Sequence, residues 1–554
     1  MSPSNIDYQI MWNRLIAVVE EQATTLIRTA FSTSVREAGD LSAGLFDRRA
    51  RMIAQAVTGT PGHVNAMAES VGHFVREIGA QNIFDGDVFI TNDPWMGTGH
   101  LHDITMVTPV FRKGAHIGFF ACTAHVVDIG GRGFGPDAGE VYEEGLLIPI
   151  SKFAERGQVN GFMLQMVRAN VRTPDQTVGD MYSLAACNRA GNRRLQAMLD
   201  EFGLDDIDGL SDFIIEASHN ATRTAIATVP DGTYTNEMRV DGYEAPVDMR
   251  VRLDVTGGTL VADFAGTSGM SKLGVNVPEV YTRAYACYAL KCAIAPETPN
   301  NAGSLAPFEI TAPEGCILAA RRPAPVSVRH VLGHLVPDVV LGALHKAMPG
   351  VVPAEGASAL WNIQISARAA DPSSDLPSAE VLMFNSGGTG GRPSCDGLSA
   401  TAFPSGVSTM SVEATEHVGP IVVWKKELRP GSGGAGRHRG GLGQVIEIEA
   451  RDGYEFWFNA MFDRVKNPAR GRDGGACGAA GRVELTDGTV LRSKGRQRVA
   501  QGKRLRLSLP GGGGYGPAAD RAVAEIAADL RAGMISEADA QDNYGYQRRG
   551  IEDG

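Results

Sequence analysis

Cysteine is scarce: seven residues in 554, at positions 122, 187, 287, 292, 316, 395 and 477, an odd and scattered set with no CxxC pair. That speaks against a disulfide framework or a cysteine-built zinc site, and a reducing, cytoplasmic setting is expected. Long apolar runs are missing as well. No stretch approaches the roughly 18 residues that read as a bilayer span, and the start, Met1 to Asp7, is polar with no signal-peptide pattern. Lys/Arg-rich runs are absent, and 52 basic against 63 acidic residues leave a formal charge of −11. Neither nucleic acid nor an anionic membrane is therefore expected as a principal partner. A GxxxxGK(S/T) phosphate loop is lacking too: the nearest fragment, Gly502-Lys503-Arg504, has neither the spacing nor the hydroxyl.

Glycine, by contrast, is abundant, with 68 residues or about 12% where about 7% is usual. It concentrates at 430–443 and 510–516, which read as tight turns or loops because glycine alone takes positive φ cheaply. In the first stretch the amides around Gly433 and Gly434, with Arg437, His438 and Arg439 as donors, could cradle a phosphate. A glycine-rich hairpin between strands accounts for the same residues equally well.

Histidine is clustered. Four of the 12 fall in the 26 residues from His100 to His125, where an even spread would place about half of one. His100-Leu101-His102-Asp103 and His125-Val126-Val127-Asp128 set imidazoles and carboxylates at the ends of apolar strands. A bound ion needs several nitrogen or oxygen donors converging from a rigid frame, and His100, Asp103 and His125 are the sharpest such set. Two histidines and a carboxylate suit Zn²⁺, Mn²⁺ or Fe²⁺, and spacing does not choose among them. For any one of these residues a backbone-bonded loop position is the bland alternative. His102 could ligate, or act as acid or base beside the ion. Asp128 could ligate, orient an imidazole or relay protons. Asp40, in the loop after the first helix, could complete the metal set or simply serve a turn. Glu413 to His417 reads as a solvated loop before an acid–base group, and Cys122 as a small buried strand residue before a nucleophile.

The chain reads as mixed multi-domain α+β. A metal-site α/β region is expected over 1–165, a helical segment over 166–230 and a second α/β region over 231–350. A β-rich, glycine-rich region over 351–516 and closing helices over 517–554 complete it. Met11, Leu15, Val18, Val19, Leu26 and Ala30 recur at helical spacing, and Met67, Val71, Phe74 and Ile78 mark a second helix. Strands over 87–91, 104–111 and 116–124 would leave His100 to Asp103 in a loop and His125 at a strand end. Thr173-Pro174 opens a long helix to Gly203, with another over 208–228. Val251, Leu253 and Val255, then Gly257-Gly258, then Leu260, Ala262 and Phe264 predict a hairpin. Further helices are expected near 279–294 and 334–347, and Ser536-Glu537-Ala538-Asp539 caps the last one.

Thr91-Asn92-Asp93-Pro94 leading into His100-Leu101-His102-Asp103-Ile104, followed by His125-Val126-Val127-Asp128-Ile129-Gly130-Gly131, resembles the hydantoinase B/oxoprolinase family. Further matches lie along the chain at 144–149, 170–174 with Gly179-Asp180, 299–303, 432–441 and 510–516. The family often has proline at the position of His102, which weakens His102 as an obligatory ligand. The positions of His100, Asp103 and His125 resemble the family's metal ligands. The resemblance implies the catalytic beta subunit of an ATP-dependent cyclic amide hydrolase of the hydantoinase, N-methylhydantoinase, 5-oxoprolinase or lactamase type. It also implies a hydantoinase A-type partner that binds ATP and Mg²⁺, in a heterotetramer or larger assembly. In that scheme the partner phosphorylates the carbonyl of a small cyclic amide, and this chain hydrolyses the product with a metal-activated water. Related subunits of acetone and acetophenone carboxylases make ATP-dependent ketone carboxylation the alternative. A non-catalytic structural partner of the A-type subunit is the third reading.

Overall fold

Ser4 opens the first helix, α1 (Asn5–Thr29): its hydroxyl accepts from the Asp7 amide while the Asp7 carboxylate answers the Ser4 amide. One stripe of α1, Met11, Leu15, Val18, Val19, Ala23 and Leu26, is buried. A computed structural model describes residues 4–547; the Met1-Ser2-Pro3 start and residues 548–554 of the closing segment lie outside it. After α1 come β1 (Leu41–Asp47), β2 (Met52–Gln55), α2 (Pro61–Ile78), β3 (Val88–Thr91), β4 (Asp103–Arg112), β5 (Ala115–His125), β6 (Ser151–Glu155) and β7 (Gln158–Val159). These strands form one antiparallel sheet in the order β2-β1-β5-β4-β3-β6-β7.

Helices cover both faces of that sheet. On one, α1 and α3 (Pro174–Phe202) pack Val19, Leu195 and Met198 against Leu45 and Phe120. On the other, α2 packs Met67, Val71 and Phe74 against Phe46, Phe89 and Phe119. Every residue of β1 is therefore buried. A strand covered on both faces reads as a continuous apolar run without alternation, which is why Ala43 to Phe46 looks like a short run and no more in the sequence.

The α+β reading holds beyond this first sheet. Strands 232–240, 247–256, 259–263 and 308–311 make a four-stranded sheet, and the expected hairpin is its centre, pairing Leu260 with Val255. Helices Glu279–Ile294 and Val336–Ala347 pack with it around one apolar core. The second is preceded by a separate turn, His330–Gly333. Two more four-stranded sheets, drawn from 363–383 with 454–499 and from 421–450 with 482–508, enclose Trp361, Ile365, Phe456, Phe458, Ile446 and Leu507. Residues 412–418, expected as a loop, form a helix capped by the Ser411 hydroxyl. Among the described residues no helix is long and apolar enough to cross a membrane.

The glycine-rich stretches do more than turn. Extended segments around Gly388, Gly434, Gly441 and Gly512 lie against one another so closely that a Cβ on Gly388 would stand 1.8 Å from the Gly441 carbonyl oxygen. A Cβ on Gly512 would stand 1.9 Å from the Thr389 oxygen. The amides thread the same way, Gly434 donating to Gly512 and Gly512 to Gly441.

Candidate metal centre

The register of two neighbouring strands builds the core of the site. Asp103 opens β4 and His125 closes β5, and the antiparallel pairing sets them directly opposite each other. Leu41 of β1 pairs with Ala124, so Asp40 arrives beside His125, whose amide donates to the Asp40 carbonyl. His100 reaches the same point from the loop before β4. That loop turns at Gly99 with φ +102°, where a Cβ would stand 2.5 Å from the Arg329 side chain.

Asp103 is the hub. Its Oδ1 lies 2.7 Å from His100 Nε2 and 3.1 Å from His125 Nδ1. Its Oδ2 accepts from Thr98 Oγ1 at 2.7 Å and from Arg329 at 2.5 Å, and lies 2.9 Å from His63 Nε2. All these side chains are buried. Burial opposes ionisation of Asp103, yet the positive charge of His63 and Arg329 beside it holds it well below the ordinary carboxylate range. Arg329 is the permanent cation of the two, and its guanidinium sits 4.0 Å over the Tyr281 ring.

Four of the imidazoles are kept neutral. Burial, with Arg329 second, lowers His100 to about 3. Burial and the neighbouring histidines hold His102 and His330 well below their usual value, and burial with Arg329 does the same to His334. His63 alone moves up: burial works against its charge, but Asp103 and Asp40 outweigh it.

These states carry the case for a metal. His100 Nδ1 lies 2.8 Å from the Ser327 carbonyl oxygen, which can only accept, so Nδ1 bears the proton and Nε2 bears a lone pair. That lone pair faces the ionised Asp103 oxygen at 2.7 Å without hydrogen-bond geometry. Two acceptors so close in a buried site repel unless a cation lies between them. His125 Nε2 and both nitrogens of His102 are likewise buried with no partner among the described residues. One ligand atom from each of His100, Asp103 and His125 can be chosen so that all lie within 4.8 Å of one another. The donor set therefore fits a divalent ion, and it does not discriminate Zn²⁺, Mn²⁺ and Fe²⁺.

The other expected residues fall in different places. Asp40 sits at the edge of the cluster, accepting from Thr60 Oγ1 at 3.1 Å and lying 4.0 Å from His125 Nδ1. His102 is inside, its ring 5.5 Å from and nearly parallel to that of His125. Asp128 is turned to Arg172, accepting from its guanidinium at 2.7 Å and from its backbone amide, and to the Gly130 amide at 3.1 Å. The chain bends at Gly130 and Gly131, both at positive φ, and Asp128 ties that bend to Arg172 where a ligand or proton relay was expected. Gly433, Gly434 and Arg437 lie in the glycine packing. The Gly434 amide donates to Gly512, and Arg437 donates to the Gly516 and Pro393 carbonyls. Close packing has taken the place of an open anion cradle there.

Several residues of the site carry no obvious mark in the sequence. His63 comes from α2, Arg329, His330 and His334 from 329–334, Tyr281 from the helix Glu279–Ile294, and Asn362 from the turn before the strand at 363. Phe134 forms an apolar cover, its ring 5.0–5.7 Å from those of His100, His102, His125 and His330. Glu144 supports the arrangement from behind. Its Oε1 accepts the Val326 and Ser327 amides at 2.6 and 2.8 Å, pinning the segment that delivers the Ser327 carbonyl and Arg329. Only the spacing of His330 and His334, one helical turn apart, could have flagged any of these.

Known proteins resemble the chain over nearly its whole length. The hydantoinase B/oxoprolinase family model matches residues 4–518. A protein of Pseudomonas sp. strain NS671, described as one component of a D-/L-hydantoinase, is 30% identical over 98% of this chain and 94% of its own length. The solved structure of an ATP-dependent caprolactamase from Pseudomonas jessenii superposes with a TM-score of 0.90 at 25% identity, covering 99% of this chain and 97% of that one. The nucleotide-free structure of an acetone carboxylase superposes with a TM-score of 0.87 at 19% identity, over 98% of this chain and 80% of that one, and so shares the fold.

Proposed function

Because the chain belongs to the hydantoinase B/oxoprolinase family, we propose that it is the catalytic beta subunit of an ATP-dependent cyclic amide hydrolase. An ATP-binding partner of the hydantoinase A type would activate the substrate. The names of the relatives support this: one is a component of a D-/L-hydantoinase, another an ATP-dependent caprolactamase. The observation that carries it is the buried lone pair of His100 facing the Asp103 carboxylate, with His125 beside both.

An unactivated amide is a poor electrophile. In the proposed division of labour the partner transfers the ATP γ-phosphoryl group to the amide oxygen, and water then adds to the carbonyl carbon within this chain. The ring C–N bond breaks, its nitrogen leaves protonated, and the acyl phosphate that remains is hydrolysed by a second water to the carboxylate and inorganic phosphate. His100, Asp103 and His125, with Asp40 at the edge, would hold a divalent ion. Such an ion supplies Lewis acidity, lowering the proton affinity of a water or polarising a carbonyl oxygen. Asp103 stays ionised through Arg329, and the Ser327 carbonyl keeps His100 in the tautomer with Nε2 free. His102, neutral and unpartnered beside His125, can accept a proton from the attacking water and return it to the leaving nitrogen. Phe134 excludes bulk water from the same space.

The test is ring opening by this chain purified with its partner. His100→Ala and His125→Ala are each expected to lose the metal and to reduce ATP-coupled turnover by about 100-fold or more. Normal metal content and normal ring opening in both would end the proposal. Ketone carboxylation remains the competing reading through the shared acetone carboxylase fold. Label from bicarbonate fixed into a carboxylate product, with no ring opening of any cyclic amide, would favour it.

A further inference from the structure

The strap at 131–135 that covers the centre also lines an open cleft of about 140 Å³. Phe134 turns its ring onto His100, His102, His125 and His330, while Gly131, Gly133 and Gly135 line the cleft. Gly131 and Gly133 are at positive φ, and a Cβ on Gly133 would meet nothing within 4 Å, so the strap is bare there. Asn459, from the strand Tyr454–Met461, lines the same space and donates from Nδ2 to the Phe134 carbonyl at 2.9 Å.

Three guanidiniums reach the cleft from three parts of the chain: Arg132 on the strap, Arg172 before α3, and Arg496 on the strand Lys494–Val499. Two of them are partly engaged. Arg132 Nε donates to Glu143, and Arg172 gives Nη1 to Asp128 and Nη2 to the Gly131 carbonyl. Arg496 is different: exposed, its guanidinium makes no hydrogen bond and no ion pair among the described residues. Arg492, whose Nη2 donates to the Arg496 carbonyl at 3.0 Å, pairs with no carboxylate among them either. The carboxylate among the lining residues, Asp137, is occupied in placing Arg496. Its Oδ1 accepts from the Tyr243 hydroxyl at 2.6 Å and its Oδ2 from the Arg496 amide at 2.7 Å.

A chain of net charge −11 thus gathers arginines short of counter-charge around a small open space. Arginine presents its N–H groups in a planar fork that matches phosphate oxygens, and charge-assisted bonds of this kind are strong. A carboxylate is saturated by one such fork, whereas donors arriving from three directions suit a tetrahedral dianion. The volume equals that of a few waters at about 30 Å³ each, and takes such an ion with little to spare.

We propose that this cleft is a binding site for inorganic phosphate, held by Arg132, Arg172 and Arg496. The ion ties the strap to the strand Lys494–Val499 and so fixes the backbone on which Phe134 stands. Occupancy requires neither metal nor nucleotide, and the site is independent of the cyclic-amide reading.

Deuterium exchange of peptides spanning 130–137 reads the site, in the full chain purified with its partner, treated with chelator and kept free of ATP. Inorganic phosphate is expected to slow that exchange saturably, with an affinity that falls as salt is added. Acetate at the same concentration is expected to give little protection. Arg496→Gln and Arg132→Gln should each raise the half-saturating phosphate concentration about tenfold or more. Arg193→Gln, on α3 and outside the cleft, should leave it unchanged. His100→Ala should also bind phosphate as the parent does; loss of protection there would put the ion in the centre and refute the cleft. The site is likewise refuted if phosphate leaves exchange unchanged, if acetate protects as well, or if both cleft variants bind as the parent does. Protection by ATP at lower concentration than by phosphate, lost in Arg496→Gln, would make a nucleotide the occupant and overturn the assignment.

Discussion

Replacing Glu144 by glutamine removes one buried proton site and little else. The carboxyl is 1% exposed, its Oε1 accepts two backbone amides, and its Oε2 has no partner among the described residues. Burial raises its pKa to about 8, against the two amide hydrogen bonds that pull it down. In the unfolded chain the same carboxyl titrates near 4.5. Below that pH both states carry the proton and the group is indifferent to folding. As pH rises past 4.5 the unfolded chain loses its proton while the folded one keeps it, so stability falls until about pH 8 and is level beyond. The interval corresponds to at most about 5 kcal/mol. Glutamine does not titrate, and its carbonyl oxygen can accept the same two amides.

Urea unfolding of both forms at pH 5, 7 and 9 measures the difference. Glu144→Gln is expected to be less sensitive to alkali than the parent, gaining on it by several kcal/mol between pH 5 and pH 9. Metal content should be unchanged, because the 326–329 segment stays pinned. Glu144→Ala is a different perturbation: it strips the acceptor from both amides, costing about 2–4 kcal/mol, and loosens the Ser327 carbonyl that orients His100. A tenfold or greater loss in metal affinity should accompany it. Identical pH profiles for parent and Glu144→Gln would refute the buried-proton argument, and full metal affinity in Glu144→Ala would refute the support role.

Three further outcomes follow from the same contacts. Arg329→Met removes the permanent cation beside Asp103, so the carboxylate pKa rises and metal should be released at a higher pH than in the parent, read by elemental analysis after desalting between pH 5 and 8. Arg464 is buried between Asp338 at 2.9 Å and Glu355 at 3.1 Å, so Arg464→Met should cost about 3–5 kcal/mol by urea unfolding. Asp338, which burial already raises to about 6, would rise further, making that loss larger at pH 8 than at pH 5. Gly388→Ala sets a methyl 1.8 Å from the Gly441 oxygen and should cost about 3 kcal/mol or more, whereas Gly488→Ala, at φ +91° in open space, should cost only about 1 kcal/mol.

How much of this was legible beforehand depends on whether a signal is local. The helix at 279–294 and the hairpin at 247–263 announce themselves by period, because each buries one face. His100, Asp103 and His125 could be singled out because β4 and β5 are consecutive strands, so a hairpin register carries Asp103 to His125 without help from the rest of the chain. Asp128 shows where spacing misleads. Three residues past a ligand says nothing about direction once two glycines at positive φ intervene, and the carboxylate ends on Arg172. The 430–443 loop misleads differently, since glycine that permits a turn and glycine that permits contact between backbones are indistinguishable by composition. Its partners at 388 and 512 lie far off in sequence.

The residues with no signal share one physical trait. Arg329 is 226 positions from the carboxylate it neutralises, and His63, His330 and His334 stand on elements whose other buried residues are mostly apolar. A polar side chain on such an element looks like a core position with an ordinary hydrogen bond until the opposite wall is known. What separates function from filling is the count of donors and acceptors that remain once the protein has satisfied what it can. His330 keeps both ring nitrogens without a partner among the described residues, at a place where burial, His334, Arg329 and His100 all oppose its protonation. A neutral imidazole so placed neither stabilises the fold through its ring nitrogens nor answers a neighbouring charge. Its remaining use is toward whatever enters between it and Asp103, and His330→Phe, which keeps the stacking on Phe134, should therefore lower kcat by tenfold or more while leaving the unfolding midpoint within about 1 kcal/mol of the parent. Undiminished kcat in that variant would return His330 to the core.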